Sequence, residues 1–335
     1  MYHRIFIIIP IFVIATLSYS IEARGTLLDK LNYIAGQSQY ANKIYGQLQM
    51  PFSLETAMAA SMKIALESCQ MAFKWDRWNC PTSDFIRRRT TKAVLMDRED
   101  AYVTAISTAA VLYTITKDCT SGIIAGCGSS SDKSFASQCS DNPQEAEKLF
   151  RSHAHIDFSD DFYGKLSGHN YRAITNLMEK SLNKQCACAI MGPRGNCGKE
   201  ICLHTLKPFE EIAKDIRQMY DEGLELSNTP ENSRVMWDNI PLDVLVYMND
   251  SPNYCEPDAV PFWNGMRGRQ CSVGPTGEPL SEEERLKCRQ LCTECGYSVR
   301  SQNILTESRC NCKLTWGFQV QCEMCVAVQQ QHFCY

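Results

Sequence analysis

Apolar positions recur at three- and four-residue steps along the first two thirds of the chain and at two-residue steps near its C-terminus. Ala101, Ala105, Ala109, Leu112 and Ile115 keep the helical step after Asp97, a residue suited to a helix N-cap. Phe209, Ile212, Ala213, Ile216, Met219 and Tyr220 keep it after Pro208, placed for a first turn. Leu54, Met58, Met62, Ala65 and Cys69 predict a third helix over about Leu54 to Phe73, with Ser53 as its N-cap. Stripes of this width line the core of a helical bundle. Near the other end, Leu314, Trp316, Phe318 and Val320 alternate with Thr315, Gly317, Gln319 and Gln321, the period of a two-stranded ribbon. The first residues form a separate pattern: Arg4, then an apolar run from Ile5 to Leu17, then small side chains at Ser18 and Ser20. This is the layout of an export signal, cleaved after Ser20 or else after Ala23, and the run is too short for the roughly 20 residues of a spanning helix.

Composition sharpens the division. Of 19 cysteines, ten lie between Cys255 and Cys334. A load this heavy, behind an export signal, points to disulfides formed in an oxidising compartment and to a protein working outside the cell. The expected layout is a signal peptide over residues 1–20 and a mainly α N-terminal bundle over 24–225. A linker over 226–254, rich in Asn, Ser, Pro and Asp, leads to a small cysteine-rich β-hairpin domain over 255–335 that is stapled more than core-driven. The formal net charge of −4 gives no field for nucleic acid, and Arg87-Arg88-Arg89 reads as a solvated turn.

Two cysteine clusters carry most of the information. Cys186, Cys188, Cys197 and Cys202 bracket the turn-forming Gly192-Pro193-Arg194-Gly195, so bridges Cys186–Cys202 and Cys188–Cys197 would nest and stiffen a hairpin over 186–202. Cys310 with Cys325 and Cys312 with Cys322 nest in the same way about Gly317, bracing a second hairpin over 310–325. An apolar tip on a braced hairpin suits protein binding, although Trp316 and Phe318 could instead fold back onto their own domain. The six histidines show no metal-binding spacing, and no acid–base set converges, so nothing points to an enzyme or a cofactor. Cys292-x-x-Cys295 and Cys322-x-x-Cys325 have zinc spacing, but export argues for oxidation, and no metal is expected. Asn249-Asp250-Ser251 is a glycan acceptor triplet, with Pro252 following it.

Three stretches resemble the Wnt family of secreted signalling ligands: Cys69-Gln-Met-Ala-Phe-Lys-Trp-Asp-Arg-Trp-Asn-Cys80, Arg98-Glu-Asp-Ala-Tyr-Val-Thr-Ala-Ile-Ser107 and Leu245-Val-Tyr-Met-Asn-Asp-Ser-Pro-Asn-Tyr-Cys255. The cysteine array from Cys288 to Cys334 does too, and Cys288-Arg-Gln-Leu-Cys292-Thr-Glu-Cys295 is most like the Wnt-eight subgroup. The resemblance implies a "thumb" hairpin with its tip at Ala189 to Asn196, including Met191, Pro193 and Arg194, and a "finger" hairpin with its tip at Leu314 to Val320. It implies that these tips grip the cysteine-rich domain of a Frizzled-family receptor, with a coreceptor left open and the ligand itself a monomer. It further implies bridges Cys69–Cys80, Cys119–Cys127, Cys255–Cys295, Cys271–Cys288 and Cys292–Cys334, leaving Cys139 over.

The departures from the family are informative. The usual thumb reads Cys-His-Gly-Val-Ser-Gly-Ser-Cys and carries an acyl chain on its first serine, whereas Ala189 to Asn196 contains no serine or threonine and is two residues longer. Without a hydroxyl there is no ester site, so no lipid anchor is expected, and each methylene thereby lost is worth about 0.8 kcal/mol of burial. Ser129 replaces the second cysteine of the family's Cys-Gly-Cys element and so orphans Cys139, which is favoured as a buried thiol over an irregular or interchain bridge. Gly317 and Phe318 replace an adjacent cysteine pair at the finger tip. A serine-free thumb is similar to that of an insect member of the family, which implies a feedback signal in embryonic patterning and immunity that opposes Toll signalling. A soluble decoy that occupies Frizzled-type receptors without activating them is the alternative.

Overall fold

The structure, a computed structural model, describes residues 52–90, 96–124, 127, 140–154, 156, 158–192, 195–226, 237–257, 259–260, 263–274, 280–315 and 319–335. The signal segment, Ser129, Cys139, Pro193, Arg194, Trp316, Gly317 and Phe318 lie outside the described residues, and for Met191 and Leu314 only the backbone is described. Helices α1 (Phe52–Ala72), α2 (Thr82–Thr90), α3 (Arg98–Thr120), α4 (Pro143–His153) and α5 (Phe162–Lys180) precede an antiparallel hairpin of β1 (Leu182–Met191) and β2 (Cys197–Leu206). Helix α6 (Phe209–Asp221) follows, then the short parallel pair β3 (Leu224–Glu225) and β4 (Val246–Tyr247). The chain ends with β5 (Gln270–Val273), α7 (Glu282–Thr293) and the long antiparallel strands β6 (Val299–Thr315) and β7 (Gln319–Cys334), in the sheet order β5-β7-β6.

Helix α3 is the axis of the bundle. Asp97 caps it, its carboxylate accepting the Asp100 amide at 2.8 Å, as its sequence position predicts. Consecutive residues Tyr102 and Val103, Ala105 and Ile106, and Ala109 to Leu112 are all buried, so this helix is covered over most of its circumference and packs on α1, α4, α5 and α6. Phe73, just after α1, stacks edge-on against Trp78, Tyr102 and Tyr220 with ring centroids 4.9, 4.7 and 4.9 Å away.

Several expectations need correction. Ser53 lies inside α1, which begins at Phe52, and Pro208 occupies the N-cap position of α6 and not its first turn. Arg87-Arg88-Arg89 is the last turn of α2, and Arg88 is buried at 8% exposure because three aspartates surround it. The cysteine-rich segment does contain a helix: Ser281 and Glu284 form a reciprocal capping box at the start of α7. Nor is that segment coreless, since Trp263, Met266, Cys271, Cys288, Leu291 and Cys334 are buried in the same apolar cluster as the helices. Within 226–254, Leu245, Val246 and Tyr254 are buried, so the part next to Cys255 is packed.

Candidate functional site: two braced hairpins

Both hairpins extend beyond the cysteines that bracket them. In the thumb, β1 and β2 pair from Leu182↔Leu206 to Met191↔Cys197, with Cys186 directly opposite Cys202 and a bulge after Cys188. Bridges Cys186–Cys202 and Cys188–Cys197 are both formed, and Gly195 turns the tip at φ +78°, a backbone region that costs glycine nothing. Side chains from Asn183 to Ile190 are exposed, so the described arm stands clear of the bundle.

The root of this arm is held by Asp141, which no sequence pattern singles out. Its carboxylate accepts the buried Leu206 amide at 2.7 Å and the Thr120 hydroxyl at 2.9 Å, and pairs with Lys117. Its own amide donates to the His204 carbonyl at 2.8 Å. One carboxylate thus ties the return strand of the thumb to the end of α3.

The finger is longer. Strands β6 and β7 pair from Val299↔Cys334 to Thr315↔Gln319, with a bulge between Cys310 and Lys313 where Asn311 sits at φ +49°. Cys310–Cys325 and Cys312–Cys322 brace the outer arm, and the buried bridges Cys271–Cys288 and Cys292–Cys334 hold the root on β5 and α7. Cys69–Cys80, Cys119–Cys127 and Cys255–Cys295 complete the nine bridges among the described residues. The four cysteines with zinc spacing are therefore each bonded to another cysteine. Of the finger-tip residues, Val320 is 66% exposed and pairs through its backbone with Leu314. Sequence reasoning missed that the exposed apolar positions continue down the arm through Met324, Val326, Val328 and Leu305, although the same two-residue step was there to be read.

A buried ionic cluster fixes the chain between the two hairpins. Arg88 donates to Asp84 at 2.8 Å, Asp97 at 2.5 Å, Asp100 at 2.6 Å and the Tyr254 hydroxyl at 3.0 Å. Burial would raise the Asp84 carboxyl, but the charge of Arg88 and hydrogen bonds from Arg88, Arg87 and Trp78 outweigh it and hold it below the usual value. At Asp97 burial prevails over Arg88 and pushes the carboxyl up to about 6. Asn170 receives the Val246 amide at 2.8 Å and donates to the Val246 carbonyl at 2.9 Å, and Ser251 donates to buried Glu99 at 2.7 Å. Asn249 itself is exposed on this strap. Among the described residues no helix is long and apolar enough to cross a membrane.

A helical bundle and a cysteine-rich segment that share one core, each extending a disulfide-braced hairpin, define a two-armed, disulfide-stapled class of protein. The family model described as the wnt family matches residues 45–335, and the chain belongs to that family, whose members are secreted signalling ligands and not enzymes. It is 47% identical to the Wnt inhibitor of Dorsal protein of Drosophila melanogaster over 296 residues, covering 87% of this chain and 92% of that protein. It is 30% identical to Protein Wnt-8c of Gallus gallus, with 83% of each chain covered. Among solved structures, it is similar to the Drosophila WntD N-terminal domain-linker, with a TM-score of 0.50 and 42% identity over 61% of this chain and 100% of that one. The structure of human WLS in complex with WNT8A holds a chain similar at a TM-score of 0.68 and 26% identity, covering 89% of this chain and 99% of that one.

Proposed function

We propose that this chain is a secreted, non-acylated Wnt ligand that binds the cysteine-rich domain of a Frizzled-family receptor through its thumb and finger tips. On this reading it acts as a feedback antagonist of Toll-driven Dorsal signalling in embryonic patterning and immunity. The observation that carries the reading is the thumb: between the bridged Cys188 and Cys197 no residue offers a hydroxyl for an acyl ester. The name of the Drosophila relative, Wnt inhibitor of Dorsal, supports the antagonist role. Bracing supports receptor binding by the tips, because a loop whose arms are already cross-linked loses little further freedom on docking.

Affinity of the purified, detergent-free protein for Frizzled ectodomains tests the reading. Replacing Trp316, Phe318 and Val320 together with Ser should reduce it by at least tenfold, roughly 1.4 kcal/mol or more, with the disulfide count unchanged. Unaltered affinity in a folded variant, or an acyl increment on the thumb in intact-mass analysis, rules it out.

A further inference from the structure

The apolar face of the finger runs well beyond its tip. Val320, Met324, Val326 and Val328 are 66%, 62%, 61% and 49% exposed, and their alternate spacing along β7 puts them on one face. Leu305, 71% exposed, joins that face by pairing with Val328. The opposite face of β7 carries Gln319, Gln321, Glu323 and Gln329, with only the small side chains of Cys325 and Ala327 between them. Large apolar side chains gathered on one face in this way belong to a strand with that side covered, and here β5 pairs with β7 only over Gln331 to Phe333, at the root. A large exposed apolar patch on a ribbon marks a contact surface.

The charges on that face select its occupant. Glu307 and Arg309, both exposed, pair with Val326 and Met324, one step to either side of the Ser308↔Cys325 pair. An acidic or a basic partner would oppose one of these two side chains with its own sign, and an anionic membrane would have to take up Glu307 beside Val326. A second copy, turned about a two-fold axis that crosses the ribbon at the Ser308↔Cys325 level, opposes neither. It lays β6 over its copy in the reverse direction, so each Glu307 meets the other's Arg309 and each Val326 the other's Met324. Both contacts occur twice, as a closed two-fold interface requires.

We propose that the stem of the finger is a homodimer interface, in which two ribbons stack apolar face to apolar face and antiparallel about the Ser308–Cys325 level. Stacked sheets lie about 10 Å apart, enough for these side chains to interdigitate. The Thr315↔Gln319 pair, six residues of β7 from Cys325, then lies roughly 20 Å from the axis at about 3.3 Å per residue, at opposite ends in the two copies. This departs from the monomer that the family resemblance implies, and it holds whether or not the tips bind a Frizzled-type receptor.

Sedimentation of the secreted, disulfide-intact protein over a concentration series should show a monomer–dimer equilibrium. Met324→Lys with Val326→Lys should leave monomer alone, with circular dichroism and disulfide count unchanged. Glu307→Arg should weaken the dimer by about tenfold in Kd, and adding Arg309→Glu should restore it to within about threefold of the starting value. A contact between these two side chains inside one chain would not move the sedimentation. A wild-type protein that stays monomeric at about 100 μM overturns the proposal, as does a dimer indifferent to the lysine pair. So does a chain monomeric throughout whose lysine variant instead loses binding to a receptor ectodomain or to anionic phospholipid vesicles.

Discussion

The guanidinium of Arg88 donates to the phenol oxygen of Tyr254 at 3.0 Å, joining the end of α2 to the residue before Cys255 across 166 positions of sequence. The same guanidinium neutralises buried Asp84 and Asp97. Arg88→Met should therefore cost about 3–5 kcal/mol of stability in denaturant unfolding, because it leaves carboxylates buried without a counter-charge. Arg88→Lys should also destabilise, since a single ammonium cannot reproduce the fork that reaches several acceptors. A loss below about 1 kcal/mol for the Met variant contradicts this account of the cluster.

Asp97 makes stability depend on pH in an uncommon direction for a carboxylate. Burial raises it from an ordinary 3.8 to about 6, so the folded chain binds that proton more tightly than the unfolded chain. Its contribution is full below the ordinary value and is lost as pH rises toward about 6. Asp97→Asn keeps the capping oxygen and removes the titration. The stability of the wild type minus that of this variant should fall, by roughly 3 kcal/mol at most, between pH 4 and 6 and stay flat above. Thermal unfolding of both proteins across that range decides it, and a difference that does not vary with pH sinks the assignment.

Asp141 predicts a local effect. Asp141→Ala strips acceptors from Leu206 and Thr120, a change worth about 1–3 kcal/mol for a buried amide left unpaired. Hydrogen exchange should quicken along β1 and β2 while β6 and β7 are unaffected. Equal acceleration in both hairpins counts against a thumb-specific clamp.

Ser251 has two separable duties. Both Asn249→Gln and Ser251→Ala abolish the acceptor triplet, so any glycan mass should disappear from either variant. Ser251→Ala also removes the donor to buried Glu99 and should lower stability by about 1 kcal/mol or somewhat more relative to the deglycosylated wild type. Matched unfolding curves for Ser251→Ala and the deglycosylated wild type would show that the hydroxyl contributes nothing beyond the triplet.

Local chemistry was legible in the sequence, and long-range pairing was not. The Asp97 cap and the stripe from Ala101 to Ile115 announce α3 because capping and amphipathic spacing act within a few residues. Arg87-Arg88-Arg89 misleads because only Asp84 lies on the same helix, whereas Asp97 and Asp100 sit at the start of α3 and Tyr254 lies far along the chain. The capping box of Ser281 and Glu284 was visible, but the density of cysteines around it masked a helix most of whose exposed residues are charged. On the finger, the eye stops at the aromatic tip, whereas Met324, Val326 and Val328 keep the same phase behind it. The thumb positions Met191, Pro193 and Arg194 come from the family resemblance, whereas Leu314, Trp316 and Phe318 come from their alternation, which alone does not tell a protruding loop from a folded-back one.

Helices and cysteine-rich segment share one buried cluster, with Tyr254 and Trp263 wedged beside Trp78. The two arms consequently spring from a single block, as the jaws of a fixed-gap gauge do from its frame. Such a tool does not tighten around what it measures: on the proposed reading, a receptor domain has to match the opening that the folded chain already presents.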